Sequence, residues 1–434
     1  MTAVDSKEGV EMKKIINVGG GGDMGEVATK RLLHLMEDCE VVIADFDLRR
    51  ADEVVKLIGS PRVKAAQVDI FDNQRLREII RGSQLVINST GPYYRTGRPV
   101  QEACIDEKAD YIDFGDTDVA AEDLFSLEDR FREAGITALT CCGSAPGLSS
   151  VFVRKCILQL DEVDDIEIAW VTGSTPPEEG KTKGGRAVIE HMIFECSGNT
   201  HTLRGGKLVE IPNFKIGKVL DFPEPLGPFM VFQCGHAEMA TYPRFIPGLK
   251  NLRIYGSVYP PPLNGIFRGI AKQVEKGTFD MRAAVDFILA MDEGTKPAIK
   301  RPYLGVLFGV LAQLMGRELR RGDLKALVRE IMGKYEPSIG ALYIAVEGKR
   351  DGRKLRMKTA FAGYQGGPHG VVDMNDVTGT PMAVFASMLL EGKIKGPGVL
   401  APEGCVDPDE FLRIIKPLDV GGISELDAIE TMYL

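Results

Sequence analysis

Short apolar runs alternate with amphipathic stretches from Lys13 to about Gly143. Ile15–Val18, Val41–Ala44, Val63–Val68, Leu85–Asn88, Tyr111–Asp113 and Ile136–Thr140 read as strands. Between them Glu26–Met36, Arg49–Leu57, Gln74–Arg81, Arg98–Glu107 and Glu122–Ala134 carry apolar residues at helical spacing. Strands that alternate with helices predict a parallel sheet with right-handed crossovers, the arrangement in which each helix packs back on the sheet. From Glu167 the period changes to two, in Ile166–Val171, Lys207–Ile211, Asn251–Tyr255, Gly340–Glu347 and Leu355–Phe361, which predicts a mixed or antiparallel sheet. A helical block over about 264–335 interrupts it, and its charged segments Arg317–Arg321 and Arg329–Lys334 read as a solvated face. Near the end, Thr380 and Pro381 are placed to cap and start a helix with Val384, Phe385, Met388 and Leu389 on its apolar face, stopping at Gly392. The predicted fold class is α/β: a Rossmann-type doubly wound parallel sheet, plus a second α+β domain with a mixed or antiparallel sheet and a helical insertion.

The chain has 434 residues, 44% hydrophobic and 26% charged, so two or more ordinary globular cores are expected. A formal charge of −9 argues against nucleic acid or an anionic membrane as the main partner. The apolar stretch Pro302–Gly316 is shorter than the ~18 residues a span needs and reads as a buried or interface helix. Eight cysteines without a CxxC pair fit reduced thiols and a cytoplasmic protein. The five histidines show no metal-ligand spacing, so no metal is expected. Residues 1–12 read as a disordered tail without the character of a signal peptide, and Gly173–Gly185 as a loop.

Between the first predicted strand and helix, Gly20, Gly22 and Gly25 form a GxGxxG turn. Such a turn needs glycine for the bend, for backbone approach to a diphosphate, and for close helix–strand packing. The amides of Asp23 and Met24 then open a helix whose positive end faces the phosphates. Asp45 follows about 20 residues on, where an acid accepts hydrogen bonds from ribose hydroxyls. A carboxylate there repels a 2′-phosphate, so NAD is expected and NADP disfavoured, although Arg49 and Arg50 sit within reach. Asp69 ends the third strand, either to meet adenine or to start a turn. Ser89, Thr90 and Gly91 end the fourth strand at the carboxyl edge, where ligands bind in such sheets. In Gly143-Ser144-Ala145-Pro146-Gly147 the small residues and Pro146 would let the nicotinamide end approach closely, or else form a plain interdomain turn.

These motifs, together with Gly91-Pro92-Tyr93, Ala145-Pro146-Gly147-Leu148, Gly235-His236-Ala237-Glu238, Thr241-Tyr242-Pro243-Arg244 and Gly398–Glu403, resemble the saccharopine dehydrogenase (glutamate-forming) superfamily. That superfamily includes lysine 6-dehydrogenase and carboxynorspermidine dehydrogenase. The resemblance implies a discontinuous nucleotide domain, 13–147 with 378–434, and a substrate and dimerisation domain over 148–377. It also implies a homodimer and reversible oxidation of an amine to an imine that water hydrolyses.

Such a reaction needs a proton acceptor and a group for the substrate carboxylate. His236 and Glu238 are two apart, so on an extended strand both face one side. They read as a proton-transfer pair or as a structural one. Arg244 reads as a carboxylate binder beside Thr241, or as the partner of an acid. Asp116 is placed to orient the amine or accept its proton, unless it or Asp118 caps the next helix. Tyr93 reads as lining the nicotinamide site or as packing, and His369 as a cleft edge or a surface loop. The rival reading makes Cys141 or Cys142 the thiolate of a semialdehyde dehydrogenase. A third makes the chain a silent dinucleotide sensor. The favoured expectation is an NAD-dependent dehydrogenase acting on the C–N bond of an amino acid or carboxyalkyl-amine.

Overall fold

The computed structural model describes residues 12–173, 185–292, 295–319, 339–364 and 374–434, with 322, 323, 325 and 329 among the rest. The tail to residue 11, residues 174–184, the end of the helical block and His369 lie outside the described residues.

The first six strands are β1 (Lys13–Val18), β2 (Cys39–Asp45), β3 (Val63–Gln67), β4 (Leu85–Asn88), β5 (Asp110–Asp113) and β6 (Thr137–Leu139). They lie parallel in the order β3-β2-β1-β4-β5-β6. The strand order reverses between β1 and β4, which opens a crevice at their carboxyl ends. Register lines those ends up: Val18 pairs with Ala44 and with Asn88, and Asn88 with Asp113. The loops after β1, β2, β4 and β5 therefore share one rim. Strands β4 and β6 are buried at every residue, which is why they read as continuous apolar runs.

Two helix boundaries differ from expectation. The helix after β4 starts at Tyr93 and runs to Glu107, carrying Pro99 inside it. The stretch read as Glu122–Ala134 is two helices, Asp118–Phe125, capped by Thr117, and Glu128–Ala134, ended by Gly135 in the left-handed region.

The second sheet contains β7 (Glu162–Gly173), β8 (Asn199–Arg204), β9 (Lys207–Pro212), β10 (Gly217–Asp221), β11 (Pro228–Gln233), β12 (Asn251–Tyr259), β13 (Ile339–Arg350) and β14 (Arg353–Tyr364). It is mixed: β12 and β7 run parallel, while the other pairs are antiparallel. The period-two reading found five of these strands and missed β8, β10 and β11. Helix Arg186–Glu195, also unforeseen, lies between β7 and β8.

The chain then returns to the first sheet through helix Met374–Leu390, buried from Val377 to Leu389 and packed on helix Asp23–Leu35. Thr380 and Pro381 sit inside this helix rather than starting it. The Thr380 hydroxyl turns back to Asp376 Oδ1 at 2.9 Å instead of capping, and the missing amide of Pro381 is tolerated in a helix anchored by packing on all sides. Strand β15 (Gly398–Leu400) adds to β6, whereas the final strand β16 (Glu430–Tyr433) leaves this sheet and pairs antiparallel with β14.

Helices Pro262–Glu275 and Pro302–Met315 touch backbone to backbone. A Cβ on Gly309 would lie 1.8 Å from the Gly265 carbonyl oxygen, and one on Gly269 would lie 1.9 Å from that of Gly305. Gly309→Ala should therefore lower stability by about 2 kcal/mol or more, since neither contact is a flexible side chain. Denaturant unfolding at an unchanged midpoint would contradict this packing.

Candidate active site

The turn after β1 is built around Asn17, which is fully buried. Its amide donates to the Gly25 carbonyl and to Thr29 Oγ1, both at 2.9 Å, and its Oδ1 accepts the Ser89 hydroxyl at 2.8 Å. One side chain thus ties the glycine turn to the loop after β4. Gly25 is required because a Cβ there would fall 2.7 Å from Gly20 Cα. Gly22 precedes helix Asp23–Leu35 without a side-chain cap, so the first-turn amides are those that a helix leaves unpaired. These residues fit a diphosphate.

Asp45 lies beside the turn, its Oδ2 accepting the Gly21 amide at 3.1 Å and its Oδ1 the Asp47 amide at 3.0 Å. Arg50 reaches the same place, with Nη2 3.9 Å from where a Gly22 Cβ would stand, while Arg49 is paired with Asp47. Asp69 is exposed and accepts the Phe71 amide at 3.0 Å, so it shapes a turn. Thr90 Oγ1 donates to Asn88 Oδ1 at 2.6 Å. Gly147 has φ +125° and leaves no room for a Cβ, which would lie 2.2 Å from the Gly143 oxygen; the Pro146 loop is therefore folded tightly on itself.

Farther along the rim, Thr117 caps helix Asp118–Phe125 by accepting the Ala120 amide at 3.2 Å. Asp116 is spared that duty, and its Oδ2 faces His191 Nδ1 at 3.4 Å. Its carbonyl accepts the Ala237 amide at 3.1 Å, joining this loop to the second domain. His236 Nδ1 and Glu238 Oε2 are 2.5 Å apart, and both side chains are buried. They do not lie on an extended strand as expected. Cys234–His236 is irregular, and Glu238 opens helix Glu238–Phe245, so a turn rather than a pleat brings them together. Helix Arg186–Glu195 places His191 and Glu195, four apart, on one side. It crosses the loop after β4, where a Cβ on Gly91 would meet that of Ala187 at 3.2 Å. The Trp170 ring lies 6.0 Å from that of His236, and the Tyr93 hydroxyl donates to the Asn88 carbonyl at 3.4 Å.

The electrostatics separate the two imidazoles. Burial pushes His236 down, yet the charge and hydrogen bond of Glu238, with Glu195 and Asp116 behind it, raise it to about 9. His191 is held below its usual value by burial, against the pull of Asp116. Burial drives Glu195 far up, and Glu403 to about 7. Glu195 Oε2 and Glu238 Oε1 are buried without a hydrogen-bond partner, while Thr241 and Ser150 lie against Glu403 and restrain its rise. Burial also pushes the Cys141 and Cys142 thiols well above their usual value, so the thiolate that a semialdehyde dehydrogenase needs is disfavoured there.

Arg244 does not stand free for a substrate: it pairs with Glu122 at the surface and lies 4.4 Å over the Phe125 ring. A different set of guanidinium groups lines a cleft of about 320 Å³, formed by Arg95, Arg186 and Arg282 with Glu190, Met281 and Val285. Asn17, His191, Glu195 and these arginines are not singled out by the sequence, and Glu403 enters there only as the end of the Gly398–Glu403 segment. The His191–Glu195 spacing of four was the one local signal available.

A doubly wound sheet with a phosphate turn and a proton-active cluster on its rim defines a dinucleotide-dependent oxidoreductase. Residues 15–139 match the Saccharopine dehydrogenase NADP binding domain, and residues 143–423 match the Saccharopine dehydrogenase C-terminal domain. The chain belongs to the saccharopine dehydrogenase family. It is similar to a carboxyaminopropylagmatine dehydrogenase of Synechocystis sp., 25% identical over 416 residues that cover 92% of this chain and 94% of the relative. It is also similar to a carboxynorspermidine synthase of Vibrio cholerae, 24% identical with 94% and 95% covered. The solved apo saccharopine dehydrogenase (L-Glu forming) from Saccharomyces cerevisiae shares the fold, with a TM-score of 0.61, 19% identity, and 97% and 100% of the two chains covered.

Glu403 provides a test of this buried charge. Its carboxyl is raised from 4.5 in the unfolded chain to about 7 in the folded one. The neutral form is thus favoured by folding, and stability that is full below pH 4.5 declines as pH rises through 7. Glu403→Gln should gain on the native protein by up to about 3 kcal/mol between pH 5 and pH 8. His236 adds a separate decline from pH 6.5 to about 9, which the variant keeps. Denaturation curves with the same pH slope in both proteins would contradict the assignment.

Proposed function

We propose that the chain is a dehydrogenase that moves hydride between a pyridine dinucleotide and the C–N bond of an amino acid or carboxyalkyl-amine. The observation that carries this reading is the pair of imidazoles on one rim, one raised by Glu238 and one lowered by burial. Environments that push two titratable groups apart are how one site supplies both an acid and a base at one pH. The names of the two relatives, both of which describe carboxyalkyl-amines, support the substrate class.

Gly20, Gly22 and Gly25 with the amides of Asp23 and Met24 would hold the dinucleotide's diphosphate, and Gly91, Tyr93 and Pro146 would border its nicotinamide end. Bound there, it supplies the hydride acceptor or donor. Asp45 takes ribose hydroxyls and favours NAD, while Arg50 is the group that would receive a 2′-phosphate. In the oxidative direction neutral His191, oriented by Asp116, takes the amine proton as hydride leaves the adjacent carbon. The resulting C=N bond is hydrolysed by water to a carbonyl and a free amine. In reverse, His236, cationic below about pH 9 and backed by Glu238, keeps the C=N nitrogen protonated so that carbon accepts hydride. The substrate carboxylate goes to the cleft of Arg95, Arg186 and Arg282, where three guanidinium groups outnumber Glu190 in the lining. Residues 13–147 thus hold the dinucleotide, and 148–377 supply most of the substrate site.

Loss of reduced nicotinamide absorbance should occur only when a diamine and a carboxylate-bearing carbonyl compound are both present, with NADH giving the higher kcat/KM. His191→Gln should lower kcat at least about 100-fold, the lower range for a removed general acid or base. No oxidation with any amine–carbonyl pair would overturn the reading.

A further inference from the structure

The reaction gives helix Pro302–Met315 no task, and its surface is unlike the rest of the molecule. Its buried residues are Pro302, Gly305, Gly309 and Gln313, pressed on helix Pro262–Glu275 through Gly265 and Gly269. Because these glycines present no side chains, the helix lies flush on the body and its opposite side stands out. Tyr303, Leu304, Leu307, Phe308, Leu311 and Leu314 are each 40–57% exposed there, and Met315 at the end is 80% exposed. Their spacing of three and four makes one continuous stripe. Its exposed apolar area is on the order of 700 Å², at or above the largest patch of an ordinary monomer.

Basic groups frame the stripe. Lys296, Lys300 and Arg301 are exposed before the helix and Arg317 after it. The nearest following acid, Glu318, is taken by Arg268. An apolar stripe between cations is the pattern of a helix that lies in the headgroup plane of a bilayer. Self-association fits less well, because two copies of this helix, parallel or antiparallel, would set basic end against basic end. No described helix is long and apolar enough to cross a membrane, so the contact is peripheral. The chain carries −9 overall, which makes the reversed local charge the feature that selects the surface.

We propose that the exposed face of Pro302–Met315 docks the enzyme on an anionic lipid bilayer, with its leucines and Phe308 at the acyl boundary and the flanking Lys and Arg on lipid headgroups.

The full chain would be mixed with phosphatidylcholine vesicles with and without phosphatidylserine, and the bound fraction measured by flotation. The expected result is capture by the phosphatidylserine vesicles, weakened by salt and reduced at least tenfold in Leu307→Glu/Phe308→Glu. Lys300→Glu/Arg301→Glu should weaken capture while leaving the apolar stripe intact. Both variants should keep the native thermal midpoint and binding of NADH, since none of these residues belongs to the catalytic site. Equal capture by both vesicle types would overturn the anionic assignment. No capture, with a dimer by light scattering that Leu307→Glu/Phe308→Glu splits, would assign the face to a second copy. No capture by a monomer would overturn the proposal outright.

Discussion

Burying carboxyl groups without matching cations is costly, and this molecule does so at the meeting of its two sheets. Glu195, Glu238 and Glu403 are all buried, Glu195 and Glu238 each with an oxygen left without a hydrogen bond, and Asp116 stands at the margin. Two outcomes are open to such groups: they stay protonated, or they hold a cation. Burial raises Glu195 and Glu403, which takes the first course, and Glu238 pairs with His236, which takes the second. Asp116, which faces His191, is the acid left to meet positive charge, and a substrate ammonium is the natural supply. On this account the same imbalance selects an amine and tunes the two imidazoles.

That cluster is useful only because the first sheet delivers it to the right edge. Register aligns the ends of β1, β2, β4 and β5, which sets the glycine turn, Asp45 and the Gly91–Tyr93 loop along one rim at the switch point. Asn17 fixes two of those loops to each other. The second domain closes the row with helix Arg186–Glu195, seated on the loop after β4, and with the Asp116 carbonyl bonded to Ala237.

What could be read from the sequence was what is local. The GxGxxG turn, the alternation of strand and helix, and the acid after β2 are each fixed by neighbours in the chain, and all appear where expected. The family resemblance rested on the same kind of short motif. Contacts between distant segments were not readable. Nothing local decides whether Arg244 binds a carboxylate or partners an acid, and Glu122, which lies against it, comes from another helix. Thr380-Pro381 looked like a helix start because nothing local shows that Asp376 would engage the threonine or that the helix would be buried all round. Glu403 and Glu195 carry no local sign of burial at all. The stripe of Pro302–Met315 was read as buried or interface helix, and the glycines that set its inner face against Pro262–Glu275 matter only in pairs.

The most direct measurement of the central claim compares a diamine with the amino alcohol of the same length, each titrated into the dinucleotide-loaded enzyme by calorimetry. If Asp116, at the margin of the acid cluster, takes a cation at the reacting end, the diamine binds at least about 100-fold more tightly near neutral pH, the scale of a charged hydrogen bond left unmade. Equal affinity for the two would mean that the acid cluster does not select the substrate, and the account would fail at its root.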